Sequence, residues 1–126
     1  MVDIAKQIVH WRSGSDEDWE VACELLEKNR IRHGLFFAHL ALEKALKAHV
    51  CLTTGDLAPR LHNLVGLHQL AGIHLQVSHV DVLATFNRFA LEGRYPDQTA
   101  PTPSRALADA YMKGAEEVLE CLIQQL

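Results

Sequence analysis

Apolar residues recur along this chain at intervals of three and four, and no stretch alternates with a period of two, so the pattern predicts helices throughout. The densest run is GLFFAHLALEKALKAHVCL, from Gly34 to Leu52. It contains no proline, is rich in Ala, Leu, Glu and Lys, and is long enough for about five helical turns. At about 100° per residue, Leu35, Ala38, Leu42, Ala45 and Leu46 share one side, and Phe37, Ala41, Ala48 and Leu52 carry the apolar surface around its flank. A helix this apolar needs cover on several sides, which predicts the central helix of a bundle. Its remaining side is mixed: His39, Glu43 and Lys47 form an i, i+4, i+8 line, with Phe36, Leu40 and Val50 interleaved. Two readings of that line stay open. One is a solvated stripe with a single Glu-to-Lys pair contributing roughly a few tenths of a kcal/mol. The other is a contact face for a second subunit or a ligand, because Phe and Leu beside orderable charges are unfavourable to leave wet.

The neighbours of this helix follow from punctuation and period. Asp3 to Trp11 predicts a short amphipathic helix with Ile4, Ile8 and Trp11 on one side, broken by Arg12-Ser-Gly-Ser. Ser15 with Asp18 three residues on has the form of a capping box, and Trp19, Ala22, Cys23 and Leu26 make the buried stripe of the helix it opens. That helix ends near Asn29 and lies antiparallel to the central one. Thr53 to Pro59 is the next break, with Gly55 at a left-handed C-cap. Asn63 to Ile73 predicts a shorter helix, and Val80 to Leu91 another, closing at Gly93. Arg94 to Pro101 reads as a loop, because Pro96, Pro101 and Pro103 fit neither helix nor paired strand. Thr102 as N-cap and Pro103 at the first position start a last helix, with a stripe of Leu107, Ala110, Tyr111, Val118, Cys121 and Leu122. The outcome is one all-α domain spanning residues 1–126.

Composition narrows the function classes without naming one. With 126 residues, 48% of them hydrophobic, the chain is long enough to bury roughly two thirds of its unfolded surface in one core. A formal charge of −4 provides no overall basic field for nucleic acid or an anionic membrane, so any RNA contact has to be local. Cys23, Cys51 and Cys121 are isolated and odd in number, which speaks against a disulfide framework or a zinc site and for small core hydrophobes in a reducing cytoplasm. No window has the length and apolarity of a membrane span, and the first residues are too short and mixed for a signal peptide. No Gly-rich phosphate loop, nucleophile elbow, HExxH or EF-hand motif occurs, and nothing calls for a cofactor.

Four pieces in order carry a resemblance. They are Trp19 with Ala22 and Leu26; Phe36 to Ala48, FFAHLALEKALKA; Leu61-His62-Asn63-Leu64; and Arg94-Tyr95-Pro96-Asp97. At these separations the chain resembles the HEPN family, the higher-eukaryote and prokaryote nucleotide-binding domain, in its stand-alone prokaryotic branch. The resemblance spans nearly the whole chain. It implies an up-and-down four- or five-helix bundle of the nucleotidyltransferase substrate-binding-subunit type. It also implies a homodimer, and a minimal nucleotidyltransferase as partner in a toxin and antitoxin or defence module.

Many HEPN members are metal-independent ribonucleases with an Arg followed four to six residues later by His, before the last helix. Histidine moves the 2′-hydroxyl or leaving-group proton while arginine steadies the phosphorane charge. Here Arg94 stands at that place and no histidine follows it. A formal Arg-x6-His, Arg32 to His39, falls at the start of the second long helix and reads as coincidence of spacing. The expected function is therefore a nucleotide-binding or regulatory partner, with a ribonuclease using Arg94 and a displaced His62 or His39 as the alternative. Arg94 either caps the preceding helix or pairs with Asp97, or else lines a dimer groove with Tyr95 and Asp97 to bind phosphate or an acidic surface. His62 and His39, with Glu43 and Lys47, complete the candidate residues.

Overall fold

The structure, a computed structural model, describes residues 2–95 and 101–126. Among these residues five helices follow in order: α1 (Ile4–Glu27), α2 (Ile31–Thr54), α3 (Leu64–Ala71), α4 (Val77–Arg94) and α5 (Arg105–Gln124). No strand occurs among the described residues. The all-α bundle expected from the hydrophobic period is what forms, and α2 is its axis, packed against each of the other four helices. Its apolar side, Leu35, Ala38, Leu42, Ala45 and Leu46, is fully buried. Leu64 and Leu67 of α3, Leu83, Phe86 and Phe89 of α4, and Val118 and Leu122 of α5 complete the core. Among the described residues no helix is long and apolar enough to cross a membrane.

The first helix differs most from expectation. Arg12-Ser-Gly-Ser does not break the chain; it lies inside α1, where its small residues meet α2. The Ser15 hydroxyl is buried and donates to the Ala41 carbonyl at 2.7 Å, and a Cβ at Gly14 would stand 3.0 Å from Lys44 Cδ. Small side chains at this crossing outweigh the modest helix penalty of Gly and Ser. Ser15 and Asp18 therefore form no capping box. Asp18 instead holds Lys44 at 2.7 Å, and the cap of α1 is Asp3, accepting from the Lys6 amide.

The antiparallel turn from α1 to α2 passes through Asn29, which takes a left-handed φ of 60°. Gly55 closes α2 in the left-handed conformation, as its sequence context predicts, and Gly72 does the same for α3. Asn63 caps α3. The fourth helix is longer than its apolar period, carrying Gly93 and Arg94 within it. The fifth starts at Arg105 with Ser104 as its cap, two residues later than expected. The Thr102 hydroxyl accepts from Arg32 at 3.1 Å, and the amide that needs a cap, that of Leu107, donates to Ser104 instead. Among the cysteines, Cys51 is buried and Cys121 half-buried, but Cys23 is exposed and is no core residue.

Candidate functional site

The mixed line on α2 is neither solvated nor a free contact face. His39 is 0%, Glu43 4% and Lys47 6% exposed, all inside their own chain. Val50 is buried as well, while Phe36 and Leu40 remain half-buried. What covers the line is α1 on one side and the residues before α3 on the other. Lys47 Nζ lies 5.1 Å from the Trp11 ring centroid and donates to Glu43 Oε2 at 3.1 Å. On its other oxygen Glu43 accepts from His62 Nδ1 at 3.0 Å. The His62 carbonyl in turn accepts from His39 Nε2 at 3.1 Å. A buried carboxylate thus meets one ammonium and one imidazole, the kind of pairing that burial of a charge demands.

His39 is neutral near pH 7. Burial pulls its pKa down to about 4; Glu43 and the bond to the His62 carbonyl oppose the shift, while Arg94 and His62 add to it. Donation from Nε2 fixes the tautomer, which leaves Nδ1 as a bare lone pair, 3.9 Å from Glu43 Oε1 and without a donor. The second imidazole is different. His62 is held by Glu43 at Nδ1, yet its side chain is 56% exposed, so Nε2 is the nitrogen left to contact a ligand or solvent.

Arg94 occupies the last turn of α4. Nη1 donates to the Ala90 carbonyl at 3.2 Å, and the guanidinium lies 5.2 Å over the Phe36 ring. It therefore caps its own helix, one of the three roles expected of it, and stacks on the half-buried aromatic of α2. The same residue also lines an open groove of about 430 Å³ with His62, Asn63, Asn87, Ala90, Leu91 and Tyr95. Of the residues expected from sequence, the structure brings Arg94, Tyr95 and His62 into one groove. Glu43 and His39 both bond to His62, and Lys47 pairs with Glu43 beneath Trp11. Asp97 lies outside the described residues. The formal Arg32 and His39 pair goes to different places, Arg32 to Thr102 and His39 to His62.

One polar groove residue, Asn87, escaped the sequence reading. Asn87 accepts from the Leu64 amide at 2.8 Å and donates to Asn63 Oδ1 at 3.0 Å, pinning the start of α3 to α4. The signal was present, since Asn87, Ala90, Leu91 and Arg94 fall at i, i+3, i+4 and i+7, and Asn is a poor residue for a helix interior. Trp11 was misplaced for another reason: ending the first helix there hid its contact with Lys47.

Chemically, the groove offers a guanidinium and a carboxylate-braced imidazole beside amides and a phenol. That set suits a phosphate-bearing ligand. The comparisons agree with the architecture. A family model described as HEPN domain matches residues 8–126. The crystal structure of TT1696 from Thermus thermophilus superposes with a TM-score of 0.79 at 22% identity, covering 95% of this chain and 98% of that one. That of ST0689, an archaeal HEPN homologue, gives 0.73 at 20%, covering 94% and 96%. No curated protein matches this chain.

Proposed function

The chain belongs to the HEPN domain family, and from that premise we propose a small homodimeric protein that binds a nucleotide in the Arg94 and His62 groove and regulates a minimal nucleotidyltransferase, in a toxin and antitoxin or defence module. The supporting observation is the groove itself: Arg94 for phosphate, His62 fixed by Glu43, and Tyr95 at the rim for a base. The missing histidine after Arg94 fits a member without the usual ribonuclease motif. Titration with ATP and with AMP in EDTA tests this. Melting temperature should rise with ligand concentration, as it does for any ligand selective for the folded state. Arg94→Ala and His62→Ala should each weaken binding by about tenfold, or about 1.4 kcal/mol. A flat melting temperature for both nucleotides would refute it. Co-purification with a nucleotidyltransferase encoded beside it tests the partnership.

One observation favours a second reading, a metal-independent endoribonuclease with His62 as the displaced histidine. Glu43 holds Nδ1, which frees Nε2 to take the 2′-hydroxyl proton while Arg94 faces the phosphate. This reading predicts RNA cleavage in EDTA, with 2′,3′-cyclic phosphate ends, that His62→Ala and Arg94→Ala each abolish.

A further inference from the structure

Helices α1 and α5 both pack on α2. Between them runs a trough of about 350 Å³. Trp19, Leu119 and Ile123 give it an apolar lining, and Asp16, Glu116 and Glu120 stand along it, with no lysine or arginine among the lining residues. All three carboxylates are exposed, and among the described residues no ion pair involves them. Cys23, one turn beyond Trp19, lies near Glu116 at one end of the trough: burial first, then Glu116 and Glu27, push its thiol upward. From Glu116 to Ile123 the wall is about 10 Å long, which is two turns of a docked helix.

We infer that this trough docks a basic amphipathic helix of a partner protein, its apolar stripe against Trp19, Leu119 and Ile123 and its flanking lysines or arginines against Asp16, Glu116 and Glu120. Helix-in-groove recognition uses anchors at i, i+3 or i+4 and i+7, and this length accommodates them. A tryptophan set among aliphatic side chains is the type of residue on which such contacts concentrate. A second copy of the chain is the wrong occupant. A two-fold contact through this face would set its carboxylates against their own symmetry mates, in a chain of formal charge −4. Phosphate backbones carry the same wrong sign. The inference is independent of the Arg94 groove.

The probe is a fluorescein-labelled helical peptide of roughly 18 residues, five turns, with a leucine stripe flanked by lysines; its sister carries glutamate in place of lysine. Anisotropy is titrated at about 50 and about 300 mM salt, across which rim charge contacts weaken. The rate of Cys23 alkylation is read by mass spectrometry with and without peptide. The lysine peptide should bind, weaken severalfold with salt and protect Cys23, while the glutamate peptide should not bind. Replacing Glu116→Lys and Glu120→Lys together should weaken it about tenfold or more. Reversing Asp81 and Asp109 to lysine, the same change in net charge away from the trough, should leave affinity nearly unchanged. Equal losses in the two double variants, or unprotected Cys23, would overturn the inference. A change in sedimentation of the unliganded Glu116 and Glu120 variant would overturn it too, by making the trough a contact between copies.

Discussion

The two long sides of α2 are buried to nearly the same degree and are held in opposite ways. On one, Leu35, Leu42 and Leu46 exclude water by shape alone. On the other, Glu43, Lys47 and His39 are kept dry only because each polar group but one finds a partner. The apolar side stabilises in proportion to area and tolerates hydrophobic exchange. The polar side gains little net stability, since desolvation offsets most of the attraction. What it supplies instead is position: it delivers a braced imidazole to the groove that Arg94 borders. The fold rests on the first side and the candidate chemistry on the second.

Substitutions on each side should separate these roles. Glu43→Ala leaves Lys47 buried without its counter-charge and is expected to destabilise by about 3–5 kcal/mol. Leu42→Ala, by contrast, should lose about 2–5 kcal/mol through its cavity alone and leave nucleotide affinity intact. Replacing Glu43 and Lys47 together by methionine and leucine should restore most of the stability lost in Glu43→Ala while leaving nucleotide binding impaired. Urea melts paired with nucleotide titration check all three, and retained binding in the double variant would break the division.

A smaller effect follows from pH. The pKa of His39 is lowered in the fold, so the unfolded chain binds its proton first on acidification. Its contribution is complete above the unfolded value of 6.5 and declines as pH falls toward about 4. The loss amounts to up to about 3 kcal/mol. His39→Gln should flatten that part of a stability profile measured by urea melts. The smallest effect belongs to Arg94→Ala: its side chain sits on the surface at a helix end, so the melting temperature should hardly move while binding falls.

The division also explains what the chain disclosed in one dimension. The axis helix, its apolar side, the cap Gly55 and the family were all legible, because period and punctuation are local properties. The polar line was visible as spacing, but nothing local says what covers it. Its cover comes from Trp11, beyond an apparent turn, and from His62 across a connection. Ser-Gly-Ser misled for the same reason, since tertiary contact with Ala41 and Lys44 decides its conformation. Arg94 and His62 belong to different parts of the chain and meet only when α4 and α3 dock side by side.

His62 is gripped twice by the same helix, through its carbonyl by His39 and through its ring by Glu43. The connection between Thr54 and Leu64 therefore has an internal mooring near its end, although it contains no helix of its own. A ligand arriving at the groove meets an imidazole whose orientation was set during folding, so little ordering entropy remains to be lost there on binding.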